Sequence, residues 1–243
     1  MTTETLAERT DRYRPLVVAE MREVIGDEPA GLFAWMRYHM GWEDEAGQPV
    51  EARSGKLLRP TALLMATELV GGSIADAVPA AAAVELIHNF SLLHDDIEDQ
   101  SLTRHGRRTV WTFAGEAQAI NTGDGMFTLA HLAMHRLAVD ERRMIEAMRE
   151  LDETCLQLVQ GQYLDISFET RHEVSRDEYI AMTSGKTAAM FAAPFAIGAL
   201  LGGASGDRVA ALREFGWHIG LAFQAIDDLL GIWGDSELTG KPA

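Results

Sequence analysis

Glu85-Leu-Ile-His-Asn-Phe-Ser-Leu-Leu-His-Asp-Asp-Ile-Glu-Asp99 is the stretch on which the fold turns. It is an apolar helical run that ends in acids. At about 100° per residue, His88, Ser91, Asp95 and Asp99 fall on one stripe of a helix, and Val84 continues it upward. Two carboxylates therefore project one turn apart. That spacing suits Mg²⁺, a hard ion that takes one or two carboxylates, keeps several waters and completes its shell with phosphate oxygens. The competing reading is an acidic helix end in contact with water.

Working outward, long helical periodicity continues in both directions and no convincing alternating strand is found, so the expected fold class is all-α. Helices are expected near residues 4–25, 29–43, 56–70, 76–100, 112–137, 141–170, 176–202 and 207–234. Gly71-Gly72-Ser73 and the segment from Gly202 to Gly206 break two apolar pairs, and Glu43 to Ser54 reads as a polar loop. There is no domain linker and no repeat of solenoid length. One domain over residues 1–243 is the reading, a bundle whose central helices are covered on all sides and whose site is built from inward side chains.

A second acidic pair, Asp227 and Asp228, sits inside Leu221-Ala-Phe-Gln-Ala-Ile-Asp-Asp-Leu-Leu-Gly. Carboxylates within such an apolar run are costly to bury unless they are paired or bind metal. If the two acidic helices face each other, Asp95, Asp99 and Asp227 could hold a cluster of Mg²⁺ ions suited to a diphosphate. Basic residues complement them. Arg104, His105, Arg107 and Arg108 follow the first motif, and Lys56 and Arg59 lie one turn apart in Gly55-Lys-Leu-Leu-Arg-Pro60. Solvated surface charge is the favoured reading for Arg107 and Arg108.

The chain has 243 residues, 37 acids against 21 bases, 47% apolar residues and one cysteine. A net charge of −16 argues against nucleic acid or anionic lipid as a partner. Any anion must then sit in a local basic pocket. Eighteen of the bases are Arg, and the only lysines are Lys56, Lys186 and Lys241. Where Arg is so favoured, a retained Lys is a candidate for a compact charge reaching one oxygen. Cys155 has no partner for an intramolecular disulfide and reads as an inert buried thiol in a reducing compartment. Residues 1–15 lack the basic start and apolar run of a secretory signal, so a cytoplasmic location is expected. Thr187 to Gly206 is uncharged and long enough to span a bilayer, but its Pro194, glycines and alanine-rich composition favour a buried helix followed by a loop. An integral membrane protein is not expected.

Taken together, these segments resemble the trans-isoprenyl diphosphate synthases. The matching segments are Gly55 to Pro60, Glu85 to Asp99, Gly123-Asp124, Gly161-Gln162 to Asp165, Gly185-Lys-Thr187, Phe223 to Asp228, and the tail from Gly234-Asp235 to Thr239-Gly-Lys241. The resemblance implies a helical bundle of the isoprenoid synthase type with a central cavity. It implies Mg²⁺ ligation by Asp95, Asp99 and Asp227, with Asp96 and Asp228 in support, and three ions once diphosphate is bound. Lys56, Arg59 and His88 match contacts to isopentenyl diphosphate. Arg104, Lys186 and Lys241 match contacts to an allylic diphosphate, while Thr187 and Gln224 lie where the family shapes the reacting end. A homodimer is also implied. The implied reaction condenses the two substrates into a short prenyl diphosphate. Diphosphate itself is the implied base, and no side chain is nominated for that role.

Phe90 lies five residues before Asp95, about 7.5 Å deeper along an ideal helix. There it would plug the chain-length pocket, and with the small Ser91 it resembles the archaeal geranylgeranyl pattern. A C20 product is preferred over C15; the plainer reading of Phe90 is core packing. Three features depart from the family pattern. His105 stands where a second arginine is usual and Arg108 where proline is usual, so contact of His105 with diphosphate would depend on pH. Gly231 replaces the last acid of the second motif. The chain stops at Lys241-Pro-Ala243, where the family continues with further helices, and this is read as a C-terminally incomplete domain. A terpene cyclase would need no second diphosphate site, and a phosphohydrolase built on His88, His94 and Asp95 would leave the lysines unexplained. A noncatalytic partner subunit is the remaining alternative.

Overall fold

The computed structural model describes residues 4–29, 31–50 and 55–233. Among these residues the backbone is helical almost throughout, as the periodicity implies, and it falls into two compact units.

The first unit comprises the described residues up to 64 together with 73–144. It contains α1 (Leu6–Ile25), α2 (Leu32–His39), the first half of α3 (Leu58–Leu69), α4 (Ile74–Glu98), the strands β1 (Thr103–Arg104) and β2 (Arg107–Arg108), α5 (Trp111–Ala114) and α6 (Glu116–Met134). Thr5 and Glu8 form a reciprocal capping box at the start of α1, and the Ser73 hydroxyl caps α4 by accepting from the Asp76 N–H at 3.3 Å. Packed against α1 and α6, α4 buries Ala80 to Ile87 without interruption. A helix that is apolar nearly all round must be covered all round, and its polar groups past the first turn are Glu85 within the buried stretch and those that run from His88 to the C-terminal end.

α4 ends in a Schellman turn. The Ser101 N–H donates to the Asp96 carbonyl at 2.9 Å and the Gln100 N–H to the Ile97 carbonyl at 3.2 Å, with Gln100 in the left-handed region at φ 51°. The hairpin that follows was not expected. His105 and Gly106 both have positive φ, 52° and 76°, and join Arg104 to its partner Arg107 in a two-residue turn of the I′ kind. The helix expected over 112–137 is broken at Gly115, whose φ of 85° ends α5 and begins α6.

The second unit holds residues 65–72 and those from 145 onward. Its elements are the end of α3, most of α7 (Glu141–Phe168), α8 (Arg176–Thr183), a π-helical turn (Ser184–Ala188), α9 (Ala189–Leu201) and α10 (Gly206–Trp233). Arg176–Leu201 is long and apolar enough to cross a membrane, yet 78% of its most apolar window is buried within the fold. A buried helix is therefore what the uncharged stretch forms. α9 packs along α10, and the Thr67 hydroxyl donates to the Gly198 carbonyl at 3.0 Å.

The helix expected over 176–202 contains the π turn at its centre. Here α7 comes closest. A Cβ on Gly161 would lie 2.1 Å from the Lys186 nitrogen, and one on Gly185 would lie 2.6 Å from the Gln157 carbonyl oxygen. Only glycine permits backbones to meet this closely, so the pair fixes where the helix carrying Lys186 crosses α7. Cys155, on the same helix, is buried, and burial pushes its thiol up to about 12, which makes it inert as expected.

Candidate active site

In the first unit α4 sets out the site by its own pitch. Asp99 caps the helix and its N–H donates to the Asp95 carbonyl at 2.8 Å, so the expected one-turn spacing of Asp95 and Asp99 is preserved through the cap. Asp95 is half-buried and Asp99 exposed. Asp96 points inward and is 1% exposed. One of its oxygens accepts from Arg104 Nε at 2.9 Å and Nη2 at 2.8 Å, while the other is buried without a hydrogen-bond partner. Burial pushes the Asp96 carboxyl up, and Arg104 opposes that shift. Asp96 thus anchors the hairpin to α4, and Asp95 and Asp99 are the more accessible carboxylates of the motif.

All these acids sit at the negative end of the α4 dipole, where each is disfavoured by about 0.3–1 kcal/mol. Mg²⁺ would relieve that repulsion. The donor set fits this ion, since it offers two carboxylates one turn apart and leaves room for water and phosphate. No group of three His, Cys, Asp or Glu converges into a metal cage among the described residues. His94 is turned away from His88. Its Nε2 lies 3.6 Å from Asp124 Oδ1 and 3.3 Å from the Ile120 carbonyl, and a Cβ on Gly123 would strike it at 2.4 Å. The histidine set considered for a phosphohydrolase does not assemble.

Two to three turns before the acids, α4 carries Glu85, His88 and Asn89. Arg59, from the start of α3, is lowered by burial and supported electrostatically by Glu85, whose own carboxyl is pushed up, chiefly by burial. Asn89 Nδ2 donates to the Glu85 carbonyl at 2.8 Å and to its carboxylate at 3.3 Å, and Asn89 also hydrogen-bonds His39 of α2. His88 lies well below its usual value because it is buried and because Arg59 and Arg104 are near. His39 is lowered to about 3 by burial first and Arg104 second. Both rings are therefore neutral at pH 7, and the local positive charge comes from arginine. Lys56 is exposed in the approach to α3, beside Leu57, which is buried and held at a left-handed φ of 50°. Glu85, Asn89 and His39 were missed from sequence. Glu85 could have been found, because a lone acid in an apolar run that is buried needs a partner.

Arg104 and His105 reach the same region from the hairpin and share a small pocket with His39 and Asp96. Arg107 is not the solvated charge expected. Its guanidinium lies 4.0 Å above the Tyr38 ring and donates to the Tyr38 and Glu43 carbonyls at 2.8 and 2.5 Å. Arg108 is exposed, with an ion pair to Glu45 at 3.3 Å. Phe90 is half-buried and meets the Phe127 ring of α6 edge-on at 5.1 Å, while Ser91 turns its hydroxyl back to the His88 carbonyl at 2.8 Å.

In the second unit the π turn presents Lys186 and Thr187 in succession. Lys186 forms an ion pair with Asp165 of α7. The Thr187 hydroxyl donates to Gln224 Oε1 at 2.6 Å, Gln224 Nε2 donates to Asp228 Oδ1 at 2.8 Å, and the Tyr179 hydroxyl donates to Asp228 Oδ2. Both Asp228 oxygens are occupied. Asp227 is exposed beside them, on a groove lined also by Met182, Leu229 and Trp233. The sequence had assigned no role to Asp165 or Tyr179. Lys241 and the rest of the tail from Gly234 lie outside the described residues.

A family model for polyprenyl synthetase matches residues 42–243. The (2E,6E)-farnesyl diphosphate synthase of Mycobacterium tuberculosis is 44% identical over 240 residues, which are 99% of this chain and 62% of that protein. A geranylgeranyl diphosphate synthase of the same organism is 44% identical over 205 residues, 84% of this chain and 58% of that one. The chain therefore spans about 60% of the length of these relatives. Among solved structures, a polyprenyl synthetase from Streptomyces coelicolor A3(2) superposes with a TM-score of 0.91 at 41% identity, covering 98% of this chain and 70% of that one. A geranylgeranyl pyrophosphate synthetase from Pyrococcus horikoshii gives 0.88 at 34%, covering 98% and 70%. Because the matched region contains both acidic motifs, the cationic face at Lys56 and Arg59 and the π turn, this chain belongs to the polyprenyl synthetase family.

Proposed function

We propose that the protein is a prenyltransferase that joins isopentenyl diphosphate to an allylic diphosphate and releases a short prenyl diphosphate, C20 ahead of C15. One observation carries this reading. Arg59 of α3 and His88 of α4 lie together in the first unit, and α4 also presents Asp95 and Asp99. The rise from His88 to Asp95 is about 10 Å, enough to keep one diphosphate clear of another. A cyclase, which ionises a single diphosphate, has no use for the first of these positions.

Each side chain then has a task. Asp95, Asp99 and Asp227 ligate Mg²⁺, while Asp96 and Asp228 orient their neighbours. The ion, when bound, supplies Lewis-acid stabilisation of the departing diphosphate. Lys56, Arg59 and His88 receive isopentenyl diphosphate, with His88 donating through a neutral ring. Arg104, Lys186 and Lys241 hold the allylic diphosphate as preorganised positive charge, and Lys186 exchanges Asp165 for it. His105 adds a contact in its protonated form. Thr187 and Gln224 shape the reacting end, where a carbocation must be kept from water. Phe90 against Phe127 closes the space below the acids, and the small Ser91 beside it leaves room for the chain.

The expected assembly is a cytoplasmic homodimer, which sedimentation would check. Incubating the chain with Mg²⁺, isopentenyl diphosphate and each allylic diphosphate tests the reaction. Elongated diphosphates support the proposal. Hydrocarbon would point to a cyclase and no turnover to a partner subunit.

A further inference from the structure

The second acidic motif has only one carboxylate to offer, and the polar chain beside it explains why. Asp228 accepts from Gln224 Nε2 at 2.8 Å on one oxygen and from the Tyr179 hydroxyl on the other, while Asp227, one residue earlier, is exposed on the groove that Tyr179 also lines. Gln224 is itself fixed through Oε1 by the Thr187 hydroxyl at 2.6 Å. Two donors thus meet at one carboxylate, Tyr179 of α8 and Gln224 of α10, and the π turn supports the second through Thr187.

We infer that Tyr179 is a positioning residue for metal binding at the second acidic motif: by holding Asp228 it sets the direction of Asp227. This rests on the proposed role of Asp227 as a Mg²⁺ ligand. Tyr179 itself touches neither metal nor substrate. The physical ground is that a phenol is the last donor in the chain. Without it, Asp228 Oδ2 is left half-buried without its donor, and the carboxylate can rotate about χ2 towards solvent or into competition with Asp227. Groups that orient metal ligands in this way change metal affinity by roughly 10- to 100-fold when removed.

The test is titration calorimetry of the full chain with Mg²⁺ in the presence of inorganic pyrophosphate, comparing the wild type with Tyr179→Phe, Asp228→Asn, the double variant and Asp227→Ala. Tyr179→Phe is expected to weaken Mg²⁺ uptake about 10-fold. The double variant should be no weaker than Asp228→Asn alone, because both changes act through the same carboxylate. In turnover, the Mg²⁺ concentration for half-maximal rate should rise while KM for isopentenyl diphosphate, held by residues of the first unit, stays unchanged. Wild-type affinity in Tyr179→Phe alongside lost affinity in Asp227→Ala overturns the inference, as does a fully additive double variant. A wild-type chain that takes up no Mg²⁺ with pyrophosphate overturns it too. If the wild type binds Mg²⁺ but elongates nothing, the proposed reaction falls while the calorimetry still decides the role of Tyr179.

Discussion

The two acidic motifs are aimed by different physics. In the first unit the carboxylate behind the more accessible pair, Asp96, is almost fully buried and held by a guanidinium from a hairpin. In the second unit the corresponding carboxylate, Asp228, is half-exposed and held by an amide and a phenol. Burying a charge is tolerated only with a charged partner, and removing that partner leaves the full desolvation penalty behind. Neutral donors at a partly wet position contribute less and can be lost more cheaply. The first motif is therefore rigid at high cost, the second adjustable at low cost.

The comparison breaks first at the metal. Asp95→Ala and Asp227→Ala should each lower turnover by about 10³-fold, the equivalent of several kcal/mol of lost charge stabilisation. This is measured as incorporation of labelled isopentenyl diphosphate, and near-normal activity in either variant would remove that motif from the reading.

Stability sharpens it next. Arg104→Ala should cost about 3 kcal/mol in urea unfolding, because Asp96 stays buried and must either keep an unpaired charge or take up a proton, whereas Tyr179→Phe should cost about 1 kcal/mol. Equal losses would show that the two motifs are held alike.

A pH scan isolates the buried histidines of the first unit. His39 has a folded value of about 3 against 6.5 when unfolded, so the unfolded chain binds more protons between these values. Its contribution is fully present above 6.5 and is lost as pH falls towards 3. On going from pH 7 to 5 the loss from His39 is about 2 kcal/mol, and His39→Gln should remove that share of the slope while the share of His88 remains; an unchanged slope places the proton elsewhere. The smallest effect is on product rather than rate. Phe90→Ala should lengthen the products seen by chromatography, and an unaltered distribution would mean that the floor is made by other residues.

Much of this was legible in the sequence because it follows helical periodicity. The run from Ala80 to Ile87, apolar except for Glu85, announces a covered helix, and the acids at the helix end announce where the chemistry lies. Asp227 and Asp228 were singled out by the cost of burying charge in an apolar helix, yet the structure leaves Asp227 exposed and Asp228 half-buried, so neither bears that cost in full. The hairpin was not legible, since a His-Gly turn between Arg104 and Arg107 carries neither alternation nor the Asn-Gly signal of a I′ turn. Nor was the π turn, because Ser184 to Ala188 continues an acceptable helical pattern and only the contact between Gly161 and Gly185 marks the departure. His39 and Tyr179 act through partners 49 or 50 residues away in the chain, Asn89 and Asp228, and spacing along one helix cannot reveal such pairs.

The π turn also bears on how the chain takes a change in its own length at this point. Such a turn spends one more residue than the α-helical turn it replaces. A deletion of one residue anywhere from Ser184 to Ala188 would leave an ordinary α turn in its place, with α8 and α9 close to their present phase; what it would remove is the wider turn that sets Lys186 towards Asp165 and Thr187 towards Gln224. An insertion of one residue in α8 or α9, with no wide turn to absorb it, would instead rotate one flank by about 100° relative to the other and swing Tyr179 off Asp228. The extra residue between Thr183 and Ala189 is thus a length change that this helix already accommodates.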